Sequence, residues 1–175
     1  TIAEYAAGKL AFDPEAAALA QARHAAAYAG LARRLEPELR GAGATAAARV
    51  IHSERANWKV AWAWAVQNRD GDLLASLLSA LGFHFRLCGP LTEGVALLRS
   101  ADQTEMPSLL RARLRIELAQ LLSVGAHFDE AVEALEDGLK LALQRSDQML
   151  EAEAHLVAGQ ILAQRYDDVG NLANA

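Results

Sequence analysis

Leu91-Thr92-Glu93-Gly94 and Phe128-Asp129-Glu130-Ala131 share one chemical order 37 residues apart, and Tyr166-Asp167-Asp168-Val169 returns 38 residues after Phe128. A period in the thirties, with two helix-length stretches in each period, restricts a chain to stacked helix pairs, that is, a helical solenoid. The stretches are Asp72 to Leu87 and Thr92 to about Ala101, then Leu109 to Val124 and Asp129 to about Gln144. Cys88-Gly89-Pro90 and Gly125-Ala126-His127 separate the members of each pair, and Gln103 to Pro107 separates the pairs. Ser146-Asp147 caps a further helix reaching Gln164 or Arg165, with Tyr166-Asp167-Asp168 reading as the start of the next. Composition agrees: 53% of the residues are hydrophobic, Ala and Leu dominate, and β-branched and aromatic residues are scarce. Ala and Leu lose the least side-chain freedom in a helix, so the expectation is an all-α chain.

Small residues recur where packed helices must approach. They are Gly82, Gly94 and Ala101 in the first unit, and Ala119, Ala131 and Gly138 in the second, with the same spacing. Large apolar residues stand between them: Leu81, Phe85 and Leu98, then Leu118, Leu122 and Leu135. Small-into-large packing at a fixed spacing lets one helix nest on its neighbour. A third unit needs Val157 and Val169, or Ala158 and Gly170, at the small positions. This order resembles the tetratricopeptide motif, with slightly longer units. Eight helices are expected in the chain, and the resemblance implies that those of residues 71–175 stack as antiparallel pairs in a right-handed superhelix, the last unit truncated.

Residues 1–70 read as a helical preamble. Thr1 to about Ala11 carries Ile2, Tyr5, Ala6 and Leu10 at helical spacing. Asp13-Pro14-Glu15 is a start signal: Asp caps, Pro fits the first position, and Glu favours the positive helix end. That helix runs through Leu19, Ala22, Ala26, Leu31 and Leu35 and ends at Pro37 or Gly41-Ala42-Gly43. One further helix begins near Thr45, carries Val50, Ile51, Trp58, Trp62 and Ala65, and finishes at Asn68-Arg69-Asp70-Gly71. Trp58 and Trp62 share a face, and their large apolar area suits an anchor onto the first repeat; Trp64 points elsewhere, either to the core or to another domain.

Several classes of function are disfavoured. A net charge of −5 gives no electrostatic footprint for nucleic acid. Arg111, Arg113 and Arg115 read as a solvated or paired helix face, with acidic residues following at Glu117, Glu130, Glu133 and Glu136. No apolar run of membrane-spanning length and no secretory leader are present in these residues. One cysteine, Cys88, argues against an internal disulfide and against thiolate metal sites, and fits a cytoplasmic setting. Among His24, His52, His84, His127 and His155 no pair has the i, i+4 spacing of a helical zinc site, so no metal or other cofactor is expected. His84, between Phe83 and Phe85, reads as a structural or surface residue, and Cys88 as a helix-end packing residue. Ser53, His52 and Asp70 offer the residue types of a nucleophilic triad without fixing its geometry, and no catalytic residues are expected.

The preamble carries a further resemblance. Its residues are Tyr5-Ala6 with Leu10, Arg23-His24-Ala25 with Tyr28, Glu36-Pro37-Glu38-Leu39-Arg40-Gly41, Glu54-Arg55-Ala56-Asn57-Trp58 and Ala61-Trp62-Ala63-Trp64-Ala65. Gly71-Asp72, Phe83-His84-Phe85-Arg86-Leu87-Cys88-Gly89, Glu93-Gly94 and Leu97-Leu98 follow in order. Over about residues 1–145 this resembles the region after the nucleotide-binding and winged-helix modules of bacterial STAND-type ATPase regulators, including LuxR-family and SARP-like activators. The resemblance implies a sensor arm that binds a protein or peptide partner, or a small effector, and relieves autoinhibition of an upstream ATPase module. No phosphate loop of the G-x-x-x-x-G-K-[ST] kind and no helix-turn-helix lie in these residues, so the chain reads as an excised, non-enzymatic fragment. A structural spacer or homodimerisation scaffold is the alternative.

The candidate contact surface is the concave face lined by the first helix of each pair. By register with the small positions, Ser76, Ser79, Phe83 and Arg86 are expected beside Arg113, Ile116, Gln120 and Ser123. The site residues singled out are Ser79, Phe83, Arg86, Arg113 and Gln120. Two arginines among small polar residues suit an acidic peptide or anionic ligand.

Overall fold

The computed structural model describes residues 13–39 and 41–173, with side chains as far as Tyr166. Eight α-helices account for nearly all of them: α1 Pro14–Leu39, α2 Ala44–Ser53, α3 Arg55–Gln67, α4 Gly71–Leu87, α5 Leu91–Asp102, α6 Ser108–Val124, α7 Phe128–Gln144 and α8 Gln148–Ala173. No strand occurs among the described residues, so the chain is all-α. None of these helices is long and apolar enough to cross a membrane. The helix expected over residues 1–11 lies outside the described residues.

Local chemistry sets most of the boundaries. Asp13 Oδ1 accepts the Ala16 N–H at 2.9 Å and opens α1. Asp70 does the same for Leu73 at 3.0 Å, and Asp147 for Leu150 at 3.0 Å. Three helices close in one way: Arg69, Ala126 and Ser146 take left-handed backbone, with φ of 54°, 60° and 55°. The next amide then reaches back five residues, Asp70 to Ala65, His127 to Leu122 and Asp147 to Ala142, at 2.9, 2.9 and 3.1 Å. This is the Schellman closure, made here without the usual glycine.

Two expectations are corrected. The helix expected from Thr45 to Gln67 is broken at Glu54, whose φ and ψ of −100° and 11° leave the helical region. Glu54 receives the Tyr28 hydroxyl at 2.6 Å and the Asn57 amide at 2.7 Å, so a contact with α1 holds the break. Tyr166-Asp167-Asp168 starts no new helix: α8 runs through it to Ala173. No glycine or proline stands between Leu162 and Val169 to stop the helix, and acidic residues alone do not end one.

Helices α4, α6 and α8 contact one another in succession, while α5 packs on α4 and α6, and α7 on α6 and α8. Two layers result. At the interface between helices the small positions Gly82, Gly94, Ala101, Ala119, Ala131 and Gly138 are all buried, as are Leu81, Phe85, Leu98, Leu118, Leu122 and Leu135. In the third unit Val157 is buried and Ala158 only partly, whereas the burial of Val169 and Gly170 lies outside what is described.

The preamble joins the same core. Ala25, Ala29 and Ala32 form a fully buried stripe on α1, which packs on α3 and α4. Trp58 and Trp62 are buried; Tyr28 stands edge-on to Trp58, and Trp62 Nε1 donates to the Leu97 carbonyl of α5 at 3.0 Å. Trp62 therefore anchors α3 onto the first pair, as its spacing suggests. Trp64 is half-buried against the core. One apolar cluster runs from Ala25 to Ile161 without a gap at residue 70.

Candidate functional site

The five residues singled out from sequence come together. Ser79, Phe83, Arg86, Arg113 and Gln120 line one cavity of about 270 Å³ with Glu36, Leu39, Glu117 and Glu153. Helical spacing accounts for the placement: Ser79, Phe83 and Arg86 share one face of α4, and Arg113, Glu117 and Gln120 share one face of α6. The cavity adjoins a hollow of about 410 Å³ through Arg86 and Gln120, where Ser123, Gln160 and Gln164 lie. Through Glu36, Arg113, Gln120 and Glu153 it adjoins a wider hollow of about 990 Å³ that reaches Arg33, Met149 and Leu156. These hollows form one groove along α4, α6 and α8, walled on one side by α1.

The groove differs from the expected one in its charge. Neither arginine is free. Arg113 donates to Glu36 Oε1 at 3.0 Å and to Ser79 Oγ at 2.6 Å, and Ser79 Oγ donates to the same carboxylate at 3.0 Å. Arg86 is bound by Glu117 and by Gln120. A carboxylate from the last turns of α1 thus occupies the position expected for an anionic ligand. Ile116 leaves the expected surface: it is buried, and a Cβ on Gly138 of α7 would lie 3.0 Å from its Cγ1. Ser76 holds Arg33 of α1 at 2.8 Å, and Ser123 is bound to Gln164 of α8.

Glu117 was expected as one of the acidic residues following a solvated or paired basic face. It is buried, and desolvation pushes its carboxyl up to about 7 against the opposing pull of Arg86 and Arg113, with Glu153 reinforcing the rise. Gly82 makes room for it: a Cβ there would stand 1.7 Å from Glu117 Oε1. The small position on α4 therefore admits a carboxylate as well as a neighbouring helix. Sequence reasoning missed Glu36, Glu117 and Glu153 as groove residues. Gly82 was the available signal for Glu117, and the 77-residue separation of Glu36 from Arg113 left none for that pair.

The other basic residues of α6 are paired. Arg111 donates to the carbonyls of Asp102 and Thr104 at 3.3 and 2.8 Å, and Arg115 bridges Asp102 at 2.7 Å and Asp137 at 2.9 Å. Ser53 Oγ donates to the Val50 carbonyl at 2.9 Å, so it is engaged with its own helix and not with His52.

A second constellation lies on the far side of α4. His52 from the last turn of α2, His84 from α4 and Cys88 at its C-terminal end bring their nitrogen and sulfur atoms within 4.8 Å of one another. Cys88 Sγ is 3.2 Å from His84 Nδ1, and the two imidazole centroids are 5.6 Å apart. His84 is buried, which lowers its pKa, as do the neighbouring His52 and Arg55. A search for histidine pairs passes over this group. Its sequence signal is the i, i+4 pair His84 and Cys88, and its third member comes from another helix.

No family model, curated protein or solved structure matches the chain.

Proposed function

We propose that this chain is a tetratricopeptide-like, right-handed superhelix acting as the protein-interaction or effector-sensing module of a cytoplasmic transcriptional or signalling regulator of the STAND type. The two-layer arrangement, the repeated helix closures and the shared small-and-large order support the repeat reading. One observation carries the functional reading: Glu36 of α1 rests on Ser79 and Arg113 inside the groove, as an internal stand-in for an acidic group. A protein or peptide partner, or a small effector, bearing a carboxylate displaces Glu36 and releases the end of α1. That shift of population is the signal passed to an ATPase module outside these residues, and the chain itself does no chemistry.

The test is a fluorescence-polarisation screen of the whole chain against labelled Asp- and Glu-containing hexapeptides. Glu36→Gln removes the internal competitor and tightens binding several-fold, because the competent state no longer has to be opened first. Arg113→Ala weakens it about tenfold or more, through loss of a charge-assisted hydrogen bond. Absence of binding to both wild type and Glu36→Gln would sink the reading. In its place would stand a spacer or homodimerisation scaffold, favoured by the exposed Met149, Leu156, Leu162 and Tyr166 of α8 and recognised by a concentration-dependent mass.

A further inference from the structure

We propose that His52, His84 and Cys88 form a binding site for a late first-row transition-metal cation of the Zn²⁺ class, which ties α2 to the C-terminal end of α4. The donor set selects the ion. Two imidazoles and a thiolate suit Zn²⁺ and its neighbours, whereas Ca²⁺ and Mg²⁺ require oxygen. Distances agree as well. With metal–nitrogen bonds of about 2.0 Å and a metal–sulfur bond of about 2.3 Å, tetrahedral donors lie roughly 3.3–3.6 Å apart. Cys88 Sγ and His84 Nδ1 are already 3.2 Å apart, and no pair of donors exceeds 4.8 Å.

Two of the three donors are held in place by the fold. His84 is buried with its ring against Phe85 at 5.2 Å between centroids. Gly89 lies against the Nε2 edge of the ring: a Cβ there would lie 3.1 Å from His84 Nε2 and 2.6 Å from Phe85 Cδ1. This leaves Nδ1 facing the sulfur. Cys88 follows one turn later, its amide bound to the His84 carbonyl at 2.9 Å. His52 is exposed on the last turn of α2 and brings its ring nitrogen within 4.8 Å of the other two donors. Among the described residues no other His, Cys, Asp or Glu joins the group, which leaves the fourth coordination position to water or an external donor.

The site is separate from the groove. At about 100° per residue, the mean direction of His84 and Cys88 lies roughly 150° round α4 from that of Ser79, Phe83 and Arg86. Metal binding there fastens the preamble to the first helix pair and leaves the groove residues uncovered, so the inference stands whether or not the groove binds peptides.

The whole chain, stripped with a chelator, is titrated with Co²⁺ and then with Zn²⁺. One equivalent of Co²⁺ is expected to give tetrahedral d–d absorption with a thiolate-to-cobalt charge-transfer band, both erased by Zn²⁺. Cys88→Ser removes the charge-transfer band, and His52→Ala weakens binding at least about tenfold, since even residues that only orient metal ligands cost that much. Both side chains are exposed, so neither change threatens folding. His127→Ala, a substitution of an exposed histidine elsewhere, leaves the titration unchanged. An octahedral Co²⁺ spectrum without charge transfer overturns the assignment, as does wild-type affinity in either Cys88→Ser or His52→Ala.

Discussion

The hairpins α4–α5 and α6–α7 follow the same small-and-large order, yet they pack differently. Helices α6 and α7 make the most extensive helix contact in the described chain, whereas α4 touches α5 sparingly and α1 extensively. In the second hairpin, Gly138 sits directly over Ile116 and the Ala112 carbonyl, so backbone meets side chain with nothing between. In the first, the Phe85 ring fills the space beneath Gly94, where a Cβ would lie 2.6 Å from Phe85 Cγ. Trp62 meanwhile reaches across from α3 to Leu97. One hairpin is closed by its own two helices and the other by the preamble. Two hairpins that share one pattern of small and large residues are thus closed by different contacts.

Trp62→Ala tests that contrast most severely. Removing a fully buried indole costs about 3–5 kcal/mol, from lost transfer energy and the cavity left behind. Urea denaturation should show that loss, and hydrogen exchange should show it concentrated in α4 and α5. Uniform loss of protection through α6 and α7 would mean that the two hairpins are one cooperative unit, and the contrast would fall.

Glu117, which joins the hairpins through Arg86, comes next. Its folded pKa of about 7 lies above its ordinary 4.5, so the folded chain holds this proton more tightly than the unfolded chain does. The stability this group contributes is present below pH 4.5 and is lost as pH rises through 7, by on the order of 3 kcal/mol. Arg86, Arg113 and Glu153 face the carboxyl and share in that balance. Glu117→Gln keeps a neutral side chain at every pH and should remove this slope from a plot of urea stability against pH. Parallel curves for the two proteins would show that Glu117 titrates normally.

The smallest effect is the sharpest comparison. Gly94→Ala must push Phe85 aside and should cost about 1–3 kcal/mol as overpacking. Ala131→Gly, at the matching position, should cost only about 1 kcal/mol of helix propensity. Equal losses would show that Phe85 gives way and that the two positions are interchangeable.

Much of the architecture was legible before any tertiary contact was known. Asp13 and Asp147 mark helix starts because a short acceptor side chain satisfies an amide three residues on, whereas Asp70, read as part of a helix end, caps α4 in the same way. Small-residue spacing predicted which positions are buried, and register with those positions brought Ser79, Phe83, Arg86, Arg113 and Gln120 to one surface. Two of the misreadings have a common cause. The break at Glu54 depends on Tyr28, 26 residues earlier. Glu117 looked like one more surface carboxylate, since nothing in its neighbourhood along the chain announces its burial.

By itself, then, the sequence determined the helices, most of their ends and the faces they turn inward. These follow from backbone hydrogen bonding and side-chain periodicity within a few residues. Only the tertiary structure decided that Glu36 lies on Arg113, that Glu117 is desolvated beside Gly82, and that His52 meets His84 and Cys88. Charge pairing and metal ligation act through space over a few ångströms, and these partners are 31 to 77 residues apart along the chain except for the single turn from His84 to Cys88.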